Sequence, residues 1–133
     1  MAAVTDLETL LTNMQPSLRP AEYVYCSVPH DGVTDWLLLS PLGCFREDEG
    51  VTLILDRQAA DEADLAYESV MRCITLTVHS SLEAVGLTAA VATALARHGI
   101  SANVIAAYYH DHIFVPVRDA ERALAVLAQA RPV

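Results

Sequence analysis

The residues best placed to do chemistry lie in Ser80-Ser81-Leu82-Glu83-Ala84-Val85-Gly86-Leu87, between a β-type run and an apolar stripe of helical spacing. A turn that delivers a glycine at a helix start leaves backbone N–H groups pointing outward, and such groups bind carboxylates and other small anions. Gly86 has a second reading, in which the missing side chain only lets the helix pack closely on a sheet. Ser80 and Ser81 read either as caps of the turn or as ligand contacts. His79, before them, reads as a solvated strand-end imidazole or as a group facing the ligand. Asn103 stands among Ala102, Val104 and Ile105, where a polar side chain needs a partner. A structural hydrogen bond and a ligand would each supply one.

Other reactive groups are weaker candidates. His110-Asp111-His112 offers two imidazoles and a carboxylate, a set that suits a metal. Yet it falls at a predicted hairpin, where Asp is ordinary turn chemistry, and no other ligand cluster accompanies it. No metal and no cofactor are expected. The cysteines at 26, 44 and 73 are odd in number and match no zinc or redox spacing. Cys26 and Cys73 fall in apparent strands and read as buried free thiols, which suits a reducing cytoplasm. A nucleophilic Cys44 would need a base that the sequence does not supply, so no enzyme is expected. Arg46, in the acidic loop Pro41–Gly50, reads as solvated or as a clamp on a carboxylate.

These groups need elements to hold them. Thr5 and Glu8 form a capping box for a helix carrying Leu7, Leu10, Leu11 and Met14, which Pro16 and Pro20 end. Glu22–Val28 alternates as a strand, Trp36–Leu39 reads as a short strand, and Val51–Leu55 as a third. Asp56 caps a short helix reaching about Ala63. In the second half, Met71–Val78 alternates, with Ile74, Leu76 and Val78 on one face. Leu87, Ala90, Val91, Ala94 and Leu95 then make a narrow helix face, and Gly99 sits where a C-terminal glycine would end it. Ala102–Tyr109 and His112–Val117 read as strands joined through His110-Asp111. Asp119 caps a last helix with Ala120, Ala123, Leu124 and Leu127 as its stripe.

The second half therefore reads β-α-β-β-α, a ferredoxin-like unit without its last strand. The first half reads α-β-β-β-α and lacks an opening strand. The predicted class is α+β: an antiparallel sheet with helices on one face, built from two interlocked halves, 1–68 and 69–133, that share or exchange strands. At 133 residues and 53% hydrophobic, the chain is long and apolar enough for a buried core. Its net charge of −9 makes nucleic acid and anionic membranes poor partners. No apolar run approaches a membrane span, and Met1–Asp6 lacks a signal-peptide pattern.

The second half resembles an ACT domain. Met71-Arg72-Cys73-Ile74-Thr75-Leu76 matches its first strand, Leu82–Thr88 its turn and helix entry, Leu95–Ser101 its helix exit, and Tyr108–Val115 its hairpin and third strand. Glu49–Leu55 resembles the strand that precedes the second unit of paired-ACT proteins, as found in cytosolic arginine sensors and in small stand-alone bacterial proteins. The resemblance implies a regulatory or sensory protein, cytoplasmic, with an amino acid or similar small metabolite bound between ACT units. It implies Ser80, Ser81, Leu82, Val85, Gly86 and Asn103 as ligand-binding residues. The incomplete β-α-β-β-α unit leaves a sheet edge or face to cover, which predicts a homodimer or tight self-association, measurable by light scattering; a protein target is expected to carry the output. The alternative is a ligand-free oligomerisation or interaction module.

Overall fold

Valine and tyrosine at alternate positions draw Glu22–Val28 into a strand, and that strand, β1, runs from Pro16 to Val28. The computed structural model describes residues 14–77 and 85–129, apart from the side chains of Val33 and Thr34. The helix expected from Thr5 lies outside the described residues up to its last position, Met14, which is buried. Pro16 opens β1 and Pro20 stands inside it. Strand β3 pairs with β1 only from Tyr23 to Val28. The prolines thus lie on a stretch that β3 leaves unpaired, where a missing N–H is tolerated.

After β1 come α1 (Val33–Leu37), β2 (Gly43–Arg46), β3 (Val51–Asp56) and α2 (Arg57–Glu62). Next are β4 (Val70–Leu76), α3 (Leu87–Arg97), β5 (Asn103–Ala106), β6 (Asp111–Pro116), a 3-10 turn at Val117–Asp119 and α4 (Ala120–Ala128). The strands form one antiparallel six-stranded sheet in the order β2-β3-β1-β4-β6-β5. Strand, helix, strand, strand, helix occurs twice, and in each round the strands lie in the order second, third, first. The first half therefore opens on β1, which contains the strand read at Glu22–Val28; with a helix where Trp36–Leu39 was expected as a strand, its described order is β-α-β-β-α. The fold is ferredoxin-like. Two compact units divide it: Met1–Pro20 with Arg72–Val133, and Ala21–Met71.

In Ala21–Met71 the core is Val24, Cys26, Val28, Val51, Leu53, Leu55 and Ala60. Two elements there differ from expectation. Trp36–Leu39 was expected as a strand, but the chain turns into α1 at Gly32, whose φ of 83° opens the helix. The N–H groups of Asp35 and Trp36 both donate to its carbonyl. A four-residue apolar run carries too little periodicity to separate the two outcomes. The loop expected over Pro41–Gly50 holds β2, which pairs Gly43–Arg46 with Val51–Ile54. Cys44, Phe45 and Arg46 are all exposed, so no buried alternation marks this strand. Gly50 is where the chain turns back beside β1. A Cβ there would stand 2.6 Å from the Val28 carbonyl oxygen. Asp56 caps α2 as expected, its Oδ1 accepting from the Gln58 N–H at 2.9 Å.

In the other unit, α3 and α4 lie on one face of the strands and share a core. Leu87, Val91 and Leu95 of α3 meet Ala120, Ala123 and Leu127 of α4, over Ile74, Leu76, Ile113 and Val115. Each buried Leu, Val or Ile there contributes about 1.5–3 kcal/mol. Gly99, at φ 68°, ends α3. The N–H of Ile100 reaches the Leu95 carbonyl at 3.0 Å, and that of Gly99 reaches Ala96 at 2.9 Å. This is a Schellman closure with its apolar clasp, Ile100 against Leu95. Asp119 stands at the start of α4 but does not cap it. Its carboxylate instead accepts from Arg122 Nη2 at 3.0 Å. Arg122 Nη1 donates to the His98 carbonyl at 2.6 Å, tying α4 to the C-terminal end of α3.

Candidate functional site

Gly86 occupies the N-cap of α3 in a left-handed conformation, φ 97° and ψ −15°, and as a glycine brings no side-chain cap of its own. The first bond of the helix runs from the Ala90 N–H to the Gly86 carbonyl at 2.8 Å. The N–H groups of Leu87, Thr88 and Ala89 have no partner within the helix, as helix geometry requires. The helix dipole adds partial positive charge at the same place. Leu87 is buried and anchors the turn, while Val85 beside Gly86 is 83% exposed. An anion approaching Gly86 meets no Cβ. Ser80, Ser81 and Leu82, with His79, lie outside the described residues.

Asn103 opens β5, opposite Phe114 of β6, with its side chain exposed. It already has an interaction partner in the folded chain. The structure does not bring Asn103 and Gly86 together at one end of a unit. α3 runs 11 residues away from Gly86 before the chain turns into β5, a length of roughly 16 Å at 1.5 Å per residue. A ligand of amino-acid size spans well under that length. Val85 and Gly86 form one contact region, and Asn103 belongs to the opposite end.

His110-Asp111-His112 does not act as a unit. Asp111 is buried at the start of β6. His112 Nδ1 lies 2.9 Å from the Thr75 hydroxyl, which also accepts from Arg19 Nε at 3.2 Å. His110 Nδ1 is buried without a hydrogen bond among the described residues. Among the described residues no group of three His, Cys, Asp or Glu side chains is placed to hold a metal. Burial pushes the thiols of Cys26 and Cys73 up from their ordinary value. Both thus remain protonated and unreactive at neutral pH.

The row Arg19, Thr75, His112 crosses β1, β4 and β6 and was missed in the sequence. Its signal was faint: the alternation that set Thr75 opposite Ile74, and one arginine between two prolines. The row makes a prediction. Burial first, then the charges of Arg19 and His110, lower the His112 pKa. The unfolded chain takes up this proton near pH 6.5, and the folded chain resists it. Below 6.5 the unfolded state therefore binds more protons, so His112 makes stability fall with falling pH. The loss begins near 6.5 and stops at the folded pKa. Its slope is at most about 1.4 kcal/mol per pH unit. His112→Asn keeps a group able to bond Thr75 and removes the proton. Denaturant melts between pH 5.5 and 7 should show a flatter dependence for the variant; equal slopes would refute it.

Two family models, each described as an ACT domain, match residues 2–72 and 68–129. Among solved structures, the Vibrio cholerae protein VC0802, of unknown function and described as a possible transport protein, is 54% identical, with a TM-score of 0.83. That match covers 92% of this chain and 96% of the other. The Agrobacterium tumefaciens protein Atu0741 is 16% identical over 87% of each chain, with a TM-score of 0.70. The ligand-free regulatory subunit of aspartate kinase from Thermus thermophilus is 13% identical, with a TM-score of 0.66, covering 89% of this chain and 97% of that one. The last two show likeness of fold alone. A comparison with curated proteins gave no match.

Proposed function

This chain belongs to the ACT-domain family, and from that premise we propose that it is a regulatory or sensory protein that binds an amino acid or similar small metabolite at an interface between ACT units. The observation that carries this reading is the start of α3 at a left-handed glycine, Gly86, which offers no side-chain cap of its own. The three N–H groups with no partner within the helix suit an α-carboxylate. Likeness of fold to a regulatory subunit of aspartate kinase supports a regulatory rather than a catalytic role. Because Asn103 lies a helix length from Gly86, a shared site takes the Val85-Gly86 turn from one ACT unit and Asn103 from another. A homodimer supplies that pairing. The same proposal assigns ligand contacts to Ser80, Ser81 and Leu82. The free state of Cys26, Cys44 and Cys73 supports a reducing compartment such as the cytoplasm. No helix among the described residues is long and apolar enough to cross a membrane.

One observation favours the second reading, an interaction module without ligand. Phe45 on β2 and Tyr108 and Tyr109 beside β5 are exposed aromatic side chains on the outermost strand of each unit. Such groups are enriched in protein interfaces. Thermal-shift measurements with the twenty common amino acids at millimolar concentration separate the two. A ligand held only by the folded state stabilises it by about 2.7 kcal/mol at one hundred times its Kd. One or a few amino acids should raise the melting temperature, and Asn103→Ala should weaken that binding by about 1–3 kcal/mol. No shift with any of them leaves the interaction module as the reading.

A further inference from the structure

Charge is divided unevenly along the chain. Residues 21–71 carry eleven Asp and Glu against two Arg, and the remaining residues carry six against six. The whole formal charge of −9 thus belongs to the Ala21–Met71 unit. That unit carries an open surface pocket of about 410 Å³ lined by Tyr25, Tyr67, Glu68 and Met71, with Ala66 and Ser69. This volume falls within the range of small-molecule sites.

The wall of the pocket is ordered before any ligand arrives. The Tyr67 hydroxyl donates to Asp61 Oδ1 at 2.6 Å and accepts from Arg57 Nε at 3.2 Å. Arg57 Nη1 in turn donates to Glu22 Oε1 at 3.0 Å. The Tyr67 ring is held by its outer end. The Arg57 charge is matched by Glu22 at 3.0 Å and Asp61 at 3.9 Å, so it does not repel a cation nearby. Glu68, in contrast, is exposed and has no hydrogen bond or ion pair among the described residues. Tyrosine faces attract ammonium groups through their quadrupole, and a methionine thioether adapts to alkyl chains. An unpaired carboxylate completes the set.

We propose that this pocket binds a small organic cation, an alkylammonium, with Glu68 as its counter-charge and Tyr25, Tyr67 and Met71 as its apolar wall. The site is separate from the start of α3 and takes ligands without a carboxylate, so it stands or falls independently of the amino-acid reading.

The test uses the full chain in about 150 mM salt, close to a Debye length of 8 Å, which screens diffuse attraction to the acidic surface. n-Butylammonium chloride is titrated and followed by amide NMR shifts. The expected result is a saturable shift confined to residues near Tyr25 and 66–71. Glu68→Gln, which changes an exposed side chain and should leave circular dichroism native, should weaken binding about two- to fivefold. The neutral isostere 1-butanol should bind more weakly than the cation. Shifts spread over all acidic segments without saturation overturn the proposal, as does equal binding of 1-butanol. Unchanged affinity in folded Glu68→Gln overturns it too.

Discussion

Replacing Gly86 with valine is expected to abolish amino-acid binding. At φ 97° the backbone is left-handed, where a β-branched residue is strained. The new side chain would also stand where a carboxylate must approach the N–H groups of α3. Strain alone costs about 1–3 kcal/mol, enough to confuse loss of binding with loss of fold. Gly86→Asn removes that ambiguity, because asparagine tolerates the left-handed region. Its side chain offers a local oxygen to the same N–H groups and competes with the ligand. Both variants should lose binding by more than a hundredfold in calorimetry with the amino acid found by thermal shift. Gly86→Asn should keep native circular dichroism and lose no more than about 1 kcal/mol of stability. Unchanged affinity in a folded Gly86→Asn chain would place the site elsewhere.

The two phenylalanines should differ widely in their cost of removal. Phe114 is 1% exposed at the centre of β6, and Phe45 is 72% exposed on β2. Phe114→Ala leaves a cavity among close-packed side chains and should cost about 3–5 kcal/mol. That is a large part of the stability of a small domain, about 5–15 kcal/mol. Phe45→Ala should stay within about 0.5 kcal/mol. Urea unfolding followed by circular dichroism gives both values. The loss at Phe114 also reaches the proposed site, because Asn103 pairs with Phe114 across β5 and β6. Equal costs for the two variants would contradict the burial that separates them.

The second half was readable because its patterns are local and long. Leu87, Val91 and Leu95 recur at helical spacing, Gly99 marks the exit, and Asp111–Pro116 forms a buried run beside a turn. The first half was less readable for stated reasons. Pro16 and Pro20 are ordinary helix breakers, and they lie on a part of β1 outside its Tyr23–Val28 pairing with β3. Trp36–Leu39 is too short for its period to show. Exposed Cys44 and Phe45 carry no alternation, since β2 faces solvent. The opening strand of the first half was thus read at Glu22–Val28, and only its extension back to Pro16 was hidden by the two prolines.

For the candidate site the division is similar. Gly86 was legible, because a glycine ahead of a helical stripe marks a chain reversal wherever it occurs. Its relation to Asn103 was not, because sequence distance does not say which end of a helix a strand begins from. The pocket at Tyr25, Tyr67 and Glu68 and the row Arg19, Thr75, His112 were invisible for the same reason. Tyr25 and Tyr67 are 42 positions apart in the chain, and Arg19 and Thr75 are separated by 56. By itself the sequence determined what depends on neighbours within one or two turns: helix stripes, the Asp56 cap, the Gly86 and Gly99 turns, and an acidic 21–71 segment. Only tertiary structure decided strand order, which prolines a strand tolerates, and which distant side chains face one another, because those depend on contacts that form after the chain has folded back on itself.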